Sequence, residues 1–429
     1  MKQRNAKRVA TVGVALTLAT LTAACGGSSD EGSAPEDTTP VETTVGESTS
    51  VADGPDTGAA ELRATLTGLL SEHVYLAALA TGAALRGDTP GFTAFATALN
   101  GPSNSNTSDL VAGITSVYGA EVGKAFDGLW RSEGHIPAVV AYTQAVAKND
   151  TAGATKAVND LLAYAKTFGT TLNSVNENLP AAAVEEGVKM HITTLKEVID
   201  AQKAGNQPKV YSSLRTAYSH MGDLAATLAG ATAKKFPEKV AGDADSAASG
   251  LRSTLTSVLR EHVLLAASAT GGALGGRAPQ FEAAAAALNG PSNSNTSDLV
   301  AGVTSVYGAE VGKAFEGLWR SEGHIPAVVA YTQAVAKKDT AGATKAVNDL
   351  LAYAKTFGTT LNSVNENLPA AAVEEGVKMH ATTLKAVIDA QAAKDATLTA
   401  TTLRAATKHM DDLADAIAGA SVKKFPEKF

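Results

Sequence analysis

The sequence predicts an all-α protein, two tandem up-down helical bundles of four long helices plus short ones each, carried behind a disordered N-terminal tether. Three observations carry this. Apolar residues recur at helical spacing throughout and no stretch alternates convincingly as a strand. Residues 62–240 align with 251–429 at a constant offset of 189 without a gap. Residues 26–60 hold eight Asp or Glu and no Lys or Arg, a composition that cannot bury enough apolar surface to offset its ordering entropy.

The elements follow in chain order. Lys2, Arg4, Lys7 and Arg8 precede an apolar run from Val9 to Leu21, then Thr22-Ala23-Ala24-Cys25 and two glycines. This reads as a lipoprotein signal over residues 1–24, although Thr22 stands where such signals usually have Leu. The thiol of Cys25 would take a diacylglycerol and become the lipidated N-terminus; the run is too short for a permanent spanning helix. Residues 25–60 are the tether, roughly 30–35 Å long as a flexible coil. It holds most of the chain's formal charge of −7, so the folded part is nearly neutral. Such a charge gives no footprint for nucleic acid, and one cysteine excludes an intramolecular disulfide, a Cys-based zinc site and a CxxC pair.

Repeat 1 spans 61–240, a small acidic connector 241–249, and repeat 2 250–429. Each repeat, at about 180 residues, is large enough to fold alone. Between Ala98 and His191 only Ile114, Asp127 and Asn149 differ from their counterparts Val303, Glu316 and Lys338. Leu62, Leu66, Leu69, Leu70, His73 and Leu76 form one helical stripe; Val184, Val188, His191, Leu195 and Val198 form another. The pattern gives helices over 61–86, 89–99, 107–118, 120–148 with a bend near Gly134 to Pro137, 150–176, 180–204 and 207–235. Thr107 or Ser108 is placed to cap the third of these, Pro180 suits a first helical position, and Lys234-Lys235 before Phe236-Pro237 suits a C-terminus.

All eight histidines fall inside the repeats: His73, His135, His191 and His220, then His262, His324, His380 and His409. The four of a repeat lie on different helical segments, mostly near the middle, and antiparallel packing brings such midpoints into one layer. A single His on an apolar face is ordinarily a hydrogen-bonded core residue. Several buried together need partners, and a metal satisfies them at once; imidazole suits copper or zinc, and haem is a weaker fit. Asp223, one turn after His220, could orient its ring from a second shell, as could Asp412 for His409. Met190 and Met221 would favour copper if they faced the site. Glu72 beside His73, and Glu133 near His135, read as solvated helix-face carboxylates rather than acid/base partners.

Motifs for catalysis fail on inspection. Gly119 to Ala125 has three residues where a phosphate-binding loop needs four and no Ser or Thr after Lys124. The glycines at 271–276 follow a helix and not a strand, and there is no GxSxG or HExxH. Asn106-Thr107-Ser108 fits a glycosylation acceptor but reads as a helix cap.

Glu72-His73-Val74-Tyr75-Leu76-Ala77, His191 with Thr194-Leu195-Lys196 and Ile199-Asp200-Ala201, His409-Met410 with Leu413-Ala414-Asp415, and the ending Lys423 to Phe429 resemble a helical domain of secreted bacterial proteins often labelled copper amine oxidase. The resemblance covers both repeats and implies a helical domain without an assigned activity. In that pattern the second His follows the Trp-Arg pair more closely than His135 follows Trp130-Arg131. The enzyme of that name needs a cofactor-forming Tyr after Asn and a His-x-His copper pair on a β-sandwich; this chain has neither. Two readings follow: a non-enzymatic lipoprotein on the extracytoplasmic membrane face whose His clusters bind copper, zinc or haem for sequestration or delivery, or an envelope scaffold that engages a protein or glycan and keeps its histidines as core residues.

Overall fold

The computed structural model describes residues 54–132, 134–320 and 323–429. The signal, Cys25 and most of the tether lie outside the described residues. Repeat 1 comprises α1 (Gly58–Leu85), α2 (Thr89–Asn100), α3 (Asn106–Tyr118), α4 (Ala120–Arg131), α5 (His135–Lys148), α6 (Thr151–Val175), α7 (Ala181–Lys203) and α8 (Gln207–Lys235). Repeat 2 copies the order as α9 (Ala247–Leu274), α10 (Ala278–Asn289), α11 (Asn295–Tyr307), α12 (Ala309–Arg320), α13 (His324–Lys337), α14 (Thr340–Val364), α15 (Ala370–Ala392) and α16 (Ala396–Lys424), and a short 3-10 turn at Pro426–Lys428 follows. No strand occurs among the described residues.

The sequence places several boundaries differently. The tether was expected to reach residue 60, but Thr57 caps α1, its hydroxyl accepting from the Ala60 N–H at 3.2 Å, and Ala59 and Ala60 are fully buried. The cap of α3 is Ser105 rather than Thr107 or Ser108; Ser108 closes the reciprocal capping box from the third helical position. Pro180 sits one residue before the helix, as the cap of α7. The expected bent helix 120–148 is two helices. Pro137 has no N–H for the carbonyl four residues back and its ring crowds that carbonyl, so the helix cannot run through; in the first turn of a new helix the same proline costs little. His135 thereby becomes the first residue of α5.

Four long helices, α1, α8, α7 and α6, pack in sequence, and α5 closes the bundle by touching α6, α7 and α1. The core holds large side chains such as Tyr75, Leu76, Ile199 and Met221 at 2% exposure or less, each stabilising the fold by about 1.5–3 kcal/mol. α1 is the one described helix long and apolar enough to cross a membrane, and 78% of its most apolar window is buried inside the protein.

That burial has a cause: α1 packs on α9, and one continuous core runs through both repeats. Thr67 bonds Ser253 at 2.7 Å and Tyr75 bonds Ser268 at 2.9 Å, contacts that advance in the same direction along both helices, so α1 and α9 run parallel. Gly68 lets the Arg260 guanidinium lie against its backbone, where a Cβ would meet Arg260 Cζ at 2.6 Å. Around this seam α2 meets α16 and α10 meets α8. The two outer contacts are the same contact made twice. Arg404 Nε donates to Glu72 Oε1 at 3.0 Å, its Nη1 to Asn104 O at 2.8 Å and its Nη2 to Asp109 at 2.6 Å. Arg215 reaches Glu261 Oε1 at 3.1 Å, Asn293 O at 2.7 Å and Asp298. The repeats are thus joined about an approximate two-fold axis. The connector is packed too: Ala59 N–H donates to Ala241 O at 2.9 Å and Arg63 Nη1 to Ala244 O at 2.8 Å.

Candidate metal centre

The packing of α5 between α7 and α1 decides where the histidines meet. His73 lies mid-way along α1, His191 mid-way along α7, and the helix break delivers His135 to the gap between them. All three are buried, and one ring nitrogen from each falls within 4.8 Å of the other two. His262, His324 and His380 do the same in repeat 2. The Nε2 atoms of His73 and His135 stand 3.2 Å apart. A tetrahedral ion with metal–nitrogen bonds of about 2.0–2.1 Å sets its ligands roughly 3.3 Å from one another, so this pair already stands at ligand spacing.

Electrostatics favour the neutral, ligating form. Burial first, then the neighbouring imidazoles, push His73 well below the ordinary histidine value. Burial, then the charge of His191, lowers His135 to about 3, and His191 is lowered to about 4 by burial and then His220. In repeat 2 His262 is likewise held well below the usual value, with His324 at about 4 and His380 at about 3. Burial of an imidazolium disfavours the charge, and three together would repel.

Aromatic rings wall each triad. Trp130, at the end of α4, lies 5.0 Å from the His73 ring and 4.7 Å from the His135 ring, and Tyr164 of α6 lies tilted against His135 at 5.2 Å, centroid to centroid. Trp319 takes the same place in repeat 2. Sequence reasoning did not single out these tryptophans for the site. The available signal was the Phe126/Trp130 pair four residues apart, which sets both rings on the buried face of α4.

His220 and His409 are not in the triads. His220 Nε2–H donates to Gly187 O across α7 and α8 at 2.9 Å, and His409 does the same to Gly376 O at 3.0 Å. That nitrogen is spent on a backbone carbonyl, and each ring sits at the α7/α8 or α15/α16 seam. The proposed orienting carboxylates are corrected with them. Asp412 stands 3.7 Å from His409 Nδ1, beyond hydrogen-bond range, and the Nδ1 atoms of all six triad histidines have no hydrogen-bond partner among the described residues, so neither Asp223 nor Asp412 supports a triad ring. Met190 is exposed while Met221 is buried in the wall of the cavity that the triad shares. Glu72 also departs from expectation: it is buried, held by Arg404 of the other repeat and by Asn106 Nδ2 at 2.8 Å. Glu133 lies outside the described residues.

Two buried triads of neutral imidazoles can each hold a metal ion. The donor set fits; the shell behind it is thin, since ligating histidines usually give their second nitrogen to a carboxylate or carbonyl, and losing such a partner weakens binding by roughly 10–100-fold. A cleft of about 440 Å³ between α2 and α5, passing Phe92, Thr97 and Val139, reaches His73 and His135 and supplies a path from solvent. No protein-family model, curated protein or solved structure matches this chain.

Proposed function

We propose that the protein is a membrane-anchored extracytoplasmic lipoprotein whose two triads each bind one transition-metal ion, copper or zinc, for sequestration or delivery without turnover. The observation that carries the metal reading is the convergence of three neutral imidazoles, one from each of three helices, in each repeat. A bare ion suits this arrangement better than haem, whose iron takes axial ligands on opposite faces of a wide macrocycle. Among the described residues no thiolate joins the site, and imidazole alone serves copper and zinc alike. The missing outer-shell partners favour an exchangeable ion, which is what delivery asks for. Anchoring rests on the signal pattern ending at Cys25.

Titration of the metal-free protein with copper(II) or zinc should reach about two equivalents per chain, one per triad. With His73→Ala/His191→Ala the value should fall to about one; an unchanged stoichiometry would sink the assignment. The competing reading, an envelope scaffold with structural histidines, expects no tight metal and a loss of stability from the same substitutions.

A further inference from the structure

Each triad forms part of the wall of a second space, a cavity in the bundle core. In repeat 2 it measures about 400 Å³ and touches all three of His262, His324 and His380. Its counterpart in repeat 1, bounded by His73, His135 and His191, measures about 160 Å³. Beyond the triad the larger cavity is walled by Leu259, Leu299, Phe315, Trp319, Phe357 and Met410. Asp412 marks its mouth, with a side chain 85% exposed. Part of the size difference is written in the sequence, where Ile114 in the smaller wall is replaced by Val303 in the larger.

Two further facts bear on what this space can hold. Among the described residues only three ligand atoms converge at each triad, and no carboxylate or thiolate joins them; a three-histidine centre keeps its fourth position for an outside ligand. Three neutral imidazoles by themselves leave the ion's positive charge uncompensated. In an apolar, desolvated setting that charge calls for an anionic partner.

We propose, resting on the metal reading above, that the triad ion's open position faces this cavity and takes an alkyl thiolate: one anionic sulfur on the metal, with a short apolar tail filling the space. On zinc or copper(I), binding forms a metal–sulfur bond as the S–H proton leaves to solvent, with no change of oxidation state. The pocket has the general form of a small-molecule site, mostly apolar with a few convergent polar atoms. The larger cavity of repeat 2 accepts the longer tail.

Cobalt(II) loaded into the full chain in place of the native ion provides the test, because its visible absorption reports coordination and a thiolate adds a charge-transfer band. Ethanethiol, propanethiol and butanethiol should each produce that band, with affinity rising roughly fourfold per added methylene, the factor that about 0.8 kcal/mol per buried CH₂ gives. 2-Mercaptoethanol, the size of propanethiol but polar, should bind at least fourfold more weakly. Val303→Phe, which narrows the larger cavity, should abolish the chain-length gain in repeat 2 and leave the cobalt spectrum without thiol unchanged. If neither cobalt nor zinc nor copper binds, the metal reading fails and this one with it. If cobalt binds and thiols produce no charge-transfer band, the open position is refuted while the metal site stands. A band with no dependence on tail length refutes the cavity's part.

Discussion

At the scale of single residues, six imidazoles are kept neutral, and this ties stability to pH. In the unfolded chain they titrate near 6.5; in the fold His135 and His380 titrate at about 3 and His191 and His324 at about 4. Below pH 6.5 the unfolded state therefore binds more protons. For those four groups the metal-free protein has the full contribution above pH 6.5, loses about 1.4 kcal/mol per histidine for each pH unit below it, and stops losing it only near pH 3–4; His73 and His262, also lowered by burial, add to the loss in the same direction. Urea midpoints of the metal-free protein should fall steeply between pH 6.5 and 4, and a flat profile would contradict the burial of the triads. All three ligands of each triad were among the histidines the sequence offered, and His73 and His191 were the plainest because they sit squarely in apolar stripes. The place of His135 rested on less, since it depends on where a helix stops. His220 was misread for a related reason: periodicity gives a face but not the partner on that face, and here the partner is the bare carbonyl of Gly187.

At the scale of elements, the breaks do as much as the helices. Gly119 separates α3 from α4 with φ +91° and ψ 166°, a region open essentially to glycine alone, and Gly308 repeats it. Gly119→Ala should cost about 1–3 kcal/mol through backbone strain, since no atom stands within 4 Å of the added methyl. Thermal unfolding of this variant beside an Ala substitution at Gly113, a helical glycine in similarly open space, separates strain from bulk. The second break, before Pro137, turns the end of α4 and the start of α5 toward the same point, setting Trp130 against His135. Helix number and extent were largely readable from spacing, caps and prolines. The place of the division within 120–148 was readable as a bend near Gly134 to Pro137; that it is a full break was not, because the two halves share one apolar period and Gly134 with the missing proline donor divide them.

At the scale of the whole molecule, the repeat was plain in the sequence and the docking of its copies was not. Arg215, Glu72 and their counterparts look like ordinary helix-face charges; only contact across the seam buries them. Glu72 has a side chain 5% exposed and Arg404 one 17% exposed, so Arg404→Ala leaves a carboxylate in the core with Asn106 as its main remaining partner. The loss should reach about 3 kcal/mol or more, and Glu72→Gln added to it should recover part of that loss in a double-mutant cycle. If Arg404→Ala unfolds at the same urea concentration as the parent protein, the seam is not what joins the repeats. The chain has two tryptophans, and the fold places one beside each triad, 4.7 Å from His135 and 4.8 Å from His324 between ring centroids. Indole emission, excited at wavelengths the tyrosines do not absorb, therefore comes from those two places alone, so the protein carries a built-in optical probe at each triad, and replacing one indole by phenylalanine would let the light from the other be read by itself.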